Sequence, residues 1–162
     1  MIKVGDRLPA GKFRVKQADD SVKEVATDEL FKGKKVVFVG VPGAFTATCH
    51  LAHIPAFVTH ASEIKAKGAD SIVVMAVNDH HVMKAWSESL GNKDRITFVS
   101  DGNGDYARAL GLLVDLSGPG LGMRVRRFSA LIDDGVVKTL NLEPDGSRDV
   151  AATSAATIMA QL

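Results

Sequence analysis

Two short apolar runs constrain this chain more than anything else in it. Residues 36–41 read Val-Val-Phe-Val-Gly-Val, and residues 71–77 read Ser-Ile-Val-Val-Met-Ala-Val. Neither alternates between apolar and polar side chains, so neither offers a face to water. Runs of this kind form strands buried on both faces, and helices must then cover the sheet. Between the runs, Ile54, Phe57, Val58, Ala61 and Ile64 recur at helical spacing. That spacing predicts a helix over residues 46–67 that stops at Gly68, with a kink at Pro55. Strand, helix and strand in this order argue for parallel pairing.

The alternation continues downstream. Asn78-Asp79 can cap a helix that carries Val82, Met83, Trp86 and Leu90 and closes at Gly91-Asn92. Residues 96–99 (Ile-Thr-Phe-Val) read as a third strand, and residues 101–104 turn into a short helix with Tyr106, Ala109 and Leu110. Residues 127–132 and 136–142 flank Asp133-Asp134-Gly135, a strong hairpin signal. A last helix is expected over residues 150–162. The hairpin must be antiparallel, so the expected fold class is α/β, a mixed central sheet sandwiched by helices. With no linker, repeat or break in composition, residues 1–162 are expected to form a single domain.

Charge and cysteine usage narrow the function classes. A formal net charge of +1 makes no electrostatic case for a nucleic-acid or anionic-membrane partner. No apolar stretch reaches the roughly 18 residues of a membrane span. The opening Met1-Ile2-Lys3-Val4-Gly5-Asp6 lacks the apolar core of a secretion signal. The only cysteine cannot form an internal disulfide, which suits a reducing compartment, and a cytoplasmic location is expected.

That cysteine, Cys49, closes the segment Pro42-Gly43-Ala44-Phe45-Thr46-Ala47-Thr48-Cys49. It stands where the first buried strand ends and the helix begins, and open sheets bind their ligands beyond the carboxyl ends of strands. Thr46 is a natural N-cap, which puts Cys49 three residues into the first turn, where backbone N–H groups and the helix dipole favour an anion. A hydroxyl at this spacing can serve the sulfur or the oxygen of a small substrate. Pro42 and Gly43 shape the turn, and Gly43 lets a ligand approach the backbone. The residues alone leave two readings open, a reactive thiolate and an inert buried thiol, with exposure and charge environment as the deciding quantities.

The stretch from Val41 to Cys49 resembles the active-site signature of the peroxiredoxin 5 type, also called type II or atypical peroxiredoxins. The resemblance extends to residues 76–79 (Ala-Val-Asn-Asp), 83–86 (Met-Lys-Ala-Trp), 99–102 (Val-Ser-Asp-Gly), 126–129 (Arg-Arg-Phe-Ser) and 141–146 (Asn-Leu-Glu-Pro-Asp-Gly). It implies a thioredoxin-like fold and thiol-dependent reduction of hydrogen peroxide and alkyl hydroperoxides, with no cofactor and no metal. Cys49 matches the peroxidatic cysteine, whose thiolate attacks the O–O bond and becomes a sulfenic acid. Thr46 matches the hydroxyl that binds peroxide and thiolate, and Pro42 the residue that shields the pocket. Arg127 matches the arginine that favours the thiolate and holds the peroxide oxygens, with Arg124 as runner-up in the same basic cluster. The backbone N–H groups of Gly43 and Cys49 complete the implied donor set. The family commonly forms homodimers, for which Phe45 and residues 116–121 are candidate contacts. Leu112, Leu113 and Leu116 are equally candidates to line the pocket mouth and favour organic hydroperoxides, or to pack in the core.

The chain departs from the family pattern in three ways. Ala47 stands where proline is common, and His50 where the family often has a small residue. His50 and His53, one helical turn apart beside Cys49, suggest a metal site, but the ligand count falls short of a zinc site. They are expected to face solvent or a subunit contact. A hydrolase built on Cys49 and a histidine lacks the oriented third group such catalysis needs. Relatives carry a second, resolving cysteine where this chain has Val73 and Val74, or near residues 147–150. The sulfenic acid is therefore expected to be resolved by an external thiol, with glutathione and glutaredoxin as first choice and thioredoxin second. The alternative from another class is a thiol sensor or binding module on the same scaffold.

Overall fold

A computed structural model of the chain describes residues 1–144 and 148–162. Asp145 and Gly146, at the end of the 141–146 motif, and Ser147 lie outside the described residues. The chain opens with an antiparallel pair, β1 (Lys12–Lys16) and β2 (Val22–Ala26), followed by the short helix α1 (Thr27–Phe31). The first apolar run becomes β3 (Lys35–Gly40). After the cysteine segment come α2 (Ile54–Thr59) and α3 (Ala61–Ala66). The second run becomes β4 (Ser71–Ala76), and α4 (His80–Ser89), β5 (Thr97–Ser100) and α5 (Asp105–Leu110) follow. A separate two-stranded ribbon, β6 (Leu113–Leu116) and β7 (Gly122–Val125), precedes the hairpin β8 (Phe128–Asp133) and β9 (Val136–Leu142). The last helix is α6 (Ala155–Gln161).

The main sheet runs β2-β1-β5-β4-β3-β8-β9, with β3, β4 and β5 parallel and the other pairs antiparallel. This is the mixed, helix-covered sheet of the expected α/β class, a thioredoxin-like fold. Alternate residues of β3 feed two cores. Val37 and Val39 pack with Ile54, Phe57, Ile64, Trp86 and Ile158, while Val36 and Phe38 pack with Phe31, Tyr106, Leu110 and Phe128. A strand with a core on each side needs apolar residues at every position, which is why both runs lack alternation.

Three local signals act as expected. The Asp79 carboxylate accepts from the Val82 N–H at 2.9 Å and starts α4. Asp134 and Gly135 both have positive φ, 48° and 76°, as a tight hairpin turn matched to strand twist requires. Gly68, with φ +117°, ends the helical stretch after α3.

The long helix is more broken than its apolar spacing suggests. Residues 47–48 are helical, Cys49–His53 form a π-turn, and the α-geometry resumes at Ile54. Pro55 has no N–H for the carbonyl four residues back, and its ring crowds that carbonyl. The chain widens by one residue instead, and the Ile54 N–H reaches the Cys49 carbonyl. A second break falls at His60 (φ −97°, ψ 11°). The C-terminal helix is shorter than residues 150–162, because Ser154 Oγ accepts from the Thr157 N–H at 3.1 Å and sets the start at Ala155.

Pairing of β3 with β8 places the site. Gly40 lies opposite Phe128, so the residues that follow Gly40 and those that precede Phe128 leave the sheet at the same end. A Cβ on Gly40 would overlap the Phe128 ring. Gly40→Ala is expected to cost about 1–3 kcal/mol through overpacking, read as a lower urea midpoint at unchanged slope. An unchanged midpoint would show that the ring yields freely.

Candidate active site

The end of β3 hands the chain to a turn that only glycine fits. A Cβ at Gly43 would meet Arg124 Nη1 and Thr46 Cγ2, each at 2.9 Å. Thr46 Oγ1 donates to the Gly43 carbonyl at 2.7 Å, and the Thr46 carbonyl accepts from the His50 N–H at 2.9 Å. Thr46 thus sits at the cap position, with its hydroxyl donating back to the turn, and no helix N–H among the described residues donates to its oxygen. Its oxygen lone pairs remain free to accept, since the hydroxyl spends only its donor in this bond. Phe45 carries the turn at φ +60°, a left-handed conformation that is rare outside glycine.

Cys49 is fully buried, in the core cluster with Ile54 and Phe57. Arg127, itself 4% exposed, donates from Nη2 to Cys49 Sγ at 3.2 Å. The structure therefore brings the cysteine segment and Arg127 together across 78 residues of sequence. The runner-up, Arg124, lies elsewhere. Its Nε donates to the Leu121 carbonyl at 2.7 Å and its Nη1 to the Pro42 carbonyl at 3.3 Å, so it ties the ribbon to the turn. Arg126 Nε donates to the Glu143 carbonyl at 2.6 Å.

His53 departs from the expectation of a solvent-facing or subunit-contact residue, because it is fully buried. Four residues after Cys49, its ring points into the same core and closes a chain of hydrogen bonds. Arg127 Nη1 lies 2.9 Å from His53 Nδ1, and His53 Nε2 lies 2.9 Å from the Thr153 carbonyl. A guanidinium only donates and a carbonyl only accepts, so the ring is neutral with its proton on Nε2. Burial pushes the His53 pKa down to about 4, and Arg127 adds to that, against the opposing effect of the Thr153 carbonyl. Thr153 is held in turn by the buried Glu143, whose Oε1 accepts from the Thr153 N–H at 3.0 Å and its hydroxyl at 3.1 Å. The spacing to Cys49 carried a sequence signal for His53. Thr153, 100 residues away, carried none.

This geometry makes stability depend on pH. Between pH about 4 and 6.5 the unfolded chain holds a proton on His53 that the folded chain refuses. Stability then rises with pH through that window, and below it the penalty is at its full value of about 3 kcal/mol. His53→Gln is expected to flatten this part of the profile in urea titrations at a series of pH values. Equal slopes in both proteins would show that His53 ionises freely in the fold.

His50 is half-buried and engaged elsewhere, with its Nδ1 accepting from Trp86 Nε1 at 2.9 Å and its ring 5.5 Å from that of Phe45. Among the described residues, no group of three or more histidine, cysteine or acidic side chains is placed to hold a metal. No helix among them is long and apolar enough to cross a membrane.

A chamber of about 370 Å³ opens over this site. Thr46, Thr48 and Arg127 supply its polar part, Pro42, Leu116, Pro119 and Leu121 its apolar walls, and Arg148 is the remaining cation. The ribbon, whose strand pairing carried no sequence signal, supplies the leucine wall, and Leu116 lies at the pocket as one of its expected roles had it. One donor is unspent, because Arg127 Nε is buried without a partner among the described residues. Leaving such a group unpaired costs about 1–3 kcal/mol, so the arrangement favours an acceptor oxygen at Nε.

Comparisons with known proteins agree with this chemistry. A redoxin family model matches residues 3–157. Peroxiredoxin-2C of Oryza sativa subsp. japonica is 46% identical over 145 residues, covering 90% of each chain. Peroxiredoxin-2B of Arabidopsis thaliana is 43% identical over 151 residues, covering 93% of each. The reduced Prx3 of Vibrio vulnificus, solved in complex with hydrogen peroxide, superposes with a TM-score of 0.93 at 40% identity, covering 99% of both chains. The one-cysteine peroxiredoxin of Plasmodium falciparum superposes at 0.89 with 28% identity, covering 97% of this chain and 96% of that one. A redoxin match over nearly the whole chain, peroxiredoxin relatives of equal length and a single cysteine hydrogen-bonded to a buried arginine lead to one assignment: the chain belongs to the redoxin family, as a one-cysteine thiol peroxidase of the type II peroxiredoxin branch.

Proposed function

We propose that the chain reduces hydrogen peroxide and small organic hydroperoxides at Cys49 and is recycled by glutathione with glutaredoxin, with thioredoxin as second donor. One observation carries the reading, the 3.2 Å contact of Arg127 Nη2 with the sulfur inside a buried pocket. The Cys49 thiolate attacks one peroxide oxygen. The S–O bond forms as the O–O bond breaks, the departing oxygen leaves as water or alcohol after taking a proton, and sulfur becomes a sulfenic acid. Charge moves from sulfur to the leaving oxygen, along a path lined by the Arg127 guanidinium, whose free Nε–H suits an oxygen acceptor. Thr46 accepts from the peroxide O–H, and Pro42 and the ribbon keep bulk water out. Gly43 and Cys49 contribute their backbone N–H groups.

A donor thiolate then attacks the sulfenic sulfur, releasing water and leaving a mixed disulfide. A second thiol takes up the donor and frees Cys49. The lone cysteine supports this external route and a reducing compartment such as the cytoplasm. The proposed homodimer face takes in Phe45, 49% exposed, and residues 116–121, with Leu51, 76% exposed, as a further exposed apolar side chain.

Steady-state assays with glutathione/glutaredoxin and thioredoxin side by side test the cycle. Peroxide-dependent turnover is expected with both, faster with glutaredoxin. Rapid Cys49 oxidation without turnover in either system would make the chain a thiol sensor instead.

A further inference from the structure

The chamber over Cys49 is far larger than hydrogen peroxide needs. A water-sized molecule occupies about 30 Å³, and the chamber measures about 370 Å³. Its lining also changes in kind. Arg127, hydrogen-bonded to the sulfur, and the hydroxyls of Thr46 and Thr48 are the polar groups of the lining and suit a hydroperoxide head. Pro42, Leu116, Pro119 and Leu121 form apolar walls that gain by covering hydrocarbon. Arg148 is exposed and lines the same chamber.

Among the described residues, the charges that line this chamber have one sign. Arg127 and Arg148 line it, and no aspartate or glutamate does so among the described residues. Arg127 is committed to Cys49 and His53. Arg148 has no hydrogen bond or ion pair to the other described side chains. The nearby Asp115 is engaged by its own loop, where its Oδ1 accepts from the Ser117 N–H at 2.8 Å. A free hydroperoxide therefore meets polar groups, apolar walls and, among the described residues, a cation without an ion-pair partner.

From this combination of lining groups we infer that the site selects organic hydroperoxides that carry a carboxylate at the far end of a short hydrocarbon body, with Arg148 as the residue that recognises the carboxylate. The inference rests on the peroxidase reading of Cys49. It adds a subsite for the substrate's remote end, where binding energy bears on the reacting oxygen only through position. A guanidinium suits this role because its planar fork matches a carboxylate.

The test uses two probes built on the same six-carbon body, ω-hydroperoxyhexanoate and its methyl ester, of which only the acid is charged. Single-turnover oxidation of Cys49 in the full chain is followed by quenched flow and mass spectrometry at low salt, without any reductant. The acid is expected to react about fivefold faster than the ester, the scale of one solvent-accessible ion pair. That ratio should fall towards one in 0.5 M salt, by screening of about this order, and in Arg148→Gln. Circular dichroism of the variant separates loss of recognition from loss of fold.

Equal rates for acid and ester in the parent protein, with hydrogen peroxide still fast, would overturn the inference and leave the peroxidase reading standing. Slow oxidation by hydrogen peroxide, at the pace of a free thiol, would remove the peroxidase reading itself. A ratio that survives in Arg148→Gln assigns the recognition elsewhere and overturns the role of Arg148. Glutathione also carries carboxylates. If Arg148→Gln slows only the reduction of preformed sulfenic acid by glutathione, and the acid-to-ester ratio is one, Arg148 recognises the reductant and the inference fails.

Discussion

Cys49→Ser is expected to abolish peroxide turnover while leaving the fold in place. The serine hydroxyl cannot accept oxygen from a peroxide, and loss of a covalent nucleophile typically costs 10⁴-fold or more. The substitution keeps the side chain's size within the cluster that contains Ile54 and Phe57, so the change in packing is small. Arg127 Nη2 retains an acceptor in the serine oxygen, so no buried charge is stranded. Peroxide consumption at saturating reductant is the measurement, with far-ultraviolet circular dichroism as the control. Residual turnover above the reagent background would mean that Cys49 is not the group oxidised, since no other cysteine is present.

Arg127 carries the second large effect. Arg127→Gln is expected to slow single-turnover oxidation of Cys49 by about 10²–10³-fold, the range for removing one preorganised donor from a buried site. Two bonds disappear together, one to the sulfur and one to His53 Nδ1. Arg127→Lys keeps the charge but has no planar fork to reach both partners, and its rate should lie between those of Arg127→Gln and the parent. Arg124→Gln is the informative comparison, because Arg124 reaches the Pro42 and Leu121 carbonyls and not the sulfur. Its effect on the same rate should be several-fold at most. A larger loss in Arg124→Gln than in Arg127→Gln would reverse the two assignments.

The legible and illegible parts of the fold divide along a physical line. β3, β4 and the closing hairpin were readable because burial on both faces and a tight turn write themselves into a few adjacent residues. β1 and β2 were missed although Phe13 and Val15 alternate with Lys12, Arg14 and Lys16, a period-two pattern hidden by its high charge. The ribbon was missed because four-residue strands around Ser117, Gly118, Pro119 and Gly120 leave almost no periodicity. At the site, residues 42–49 are contiguous and carry their own spacing, and Arg127 stood out by resemblance. The partnership of His53 with Thr153 and Glu143 depends on where α6 begins, which a capping serine decides far along the chain. The π-turn was likewise hidden, since the apolar spacing of Ile54, Phe57 and Ile64 is the same for a continuous helix.

The complete burial of Cys49 has a consequence for kinetics. A peroxide can slip past side chains to the sulfur, but a tripeptide thiol, and still more a protein thiol, must meet it along the S–O axis with its own bulk behind it. The segment around the cysteine has to swing open first. It is suited to that, since the π-turn at Cys49–His53 interrupts the regular helical ladder and Pro55 has no N–H to donate to it. The reductive half of the cycle then has a speed limit that belongs to the enzyme alone. Rates should level off as donor concentration rises, at one first-order ceiling shared by glutathione and protein donors alike. Substitutions that stiffen this turn, such as restoring a proline at Ala47, should lower that ceiling without touching the reaction with peroxide.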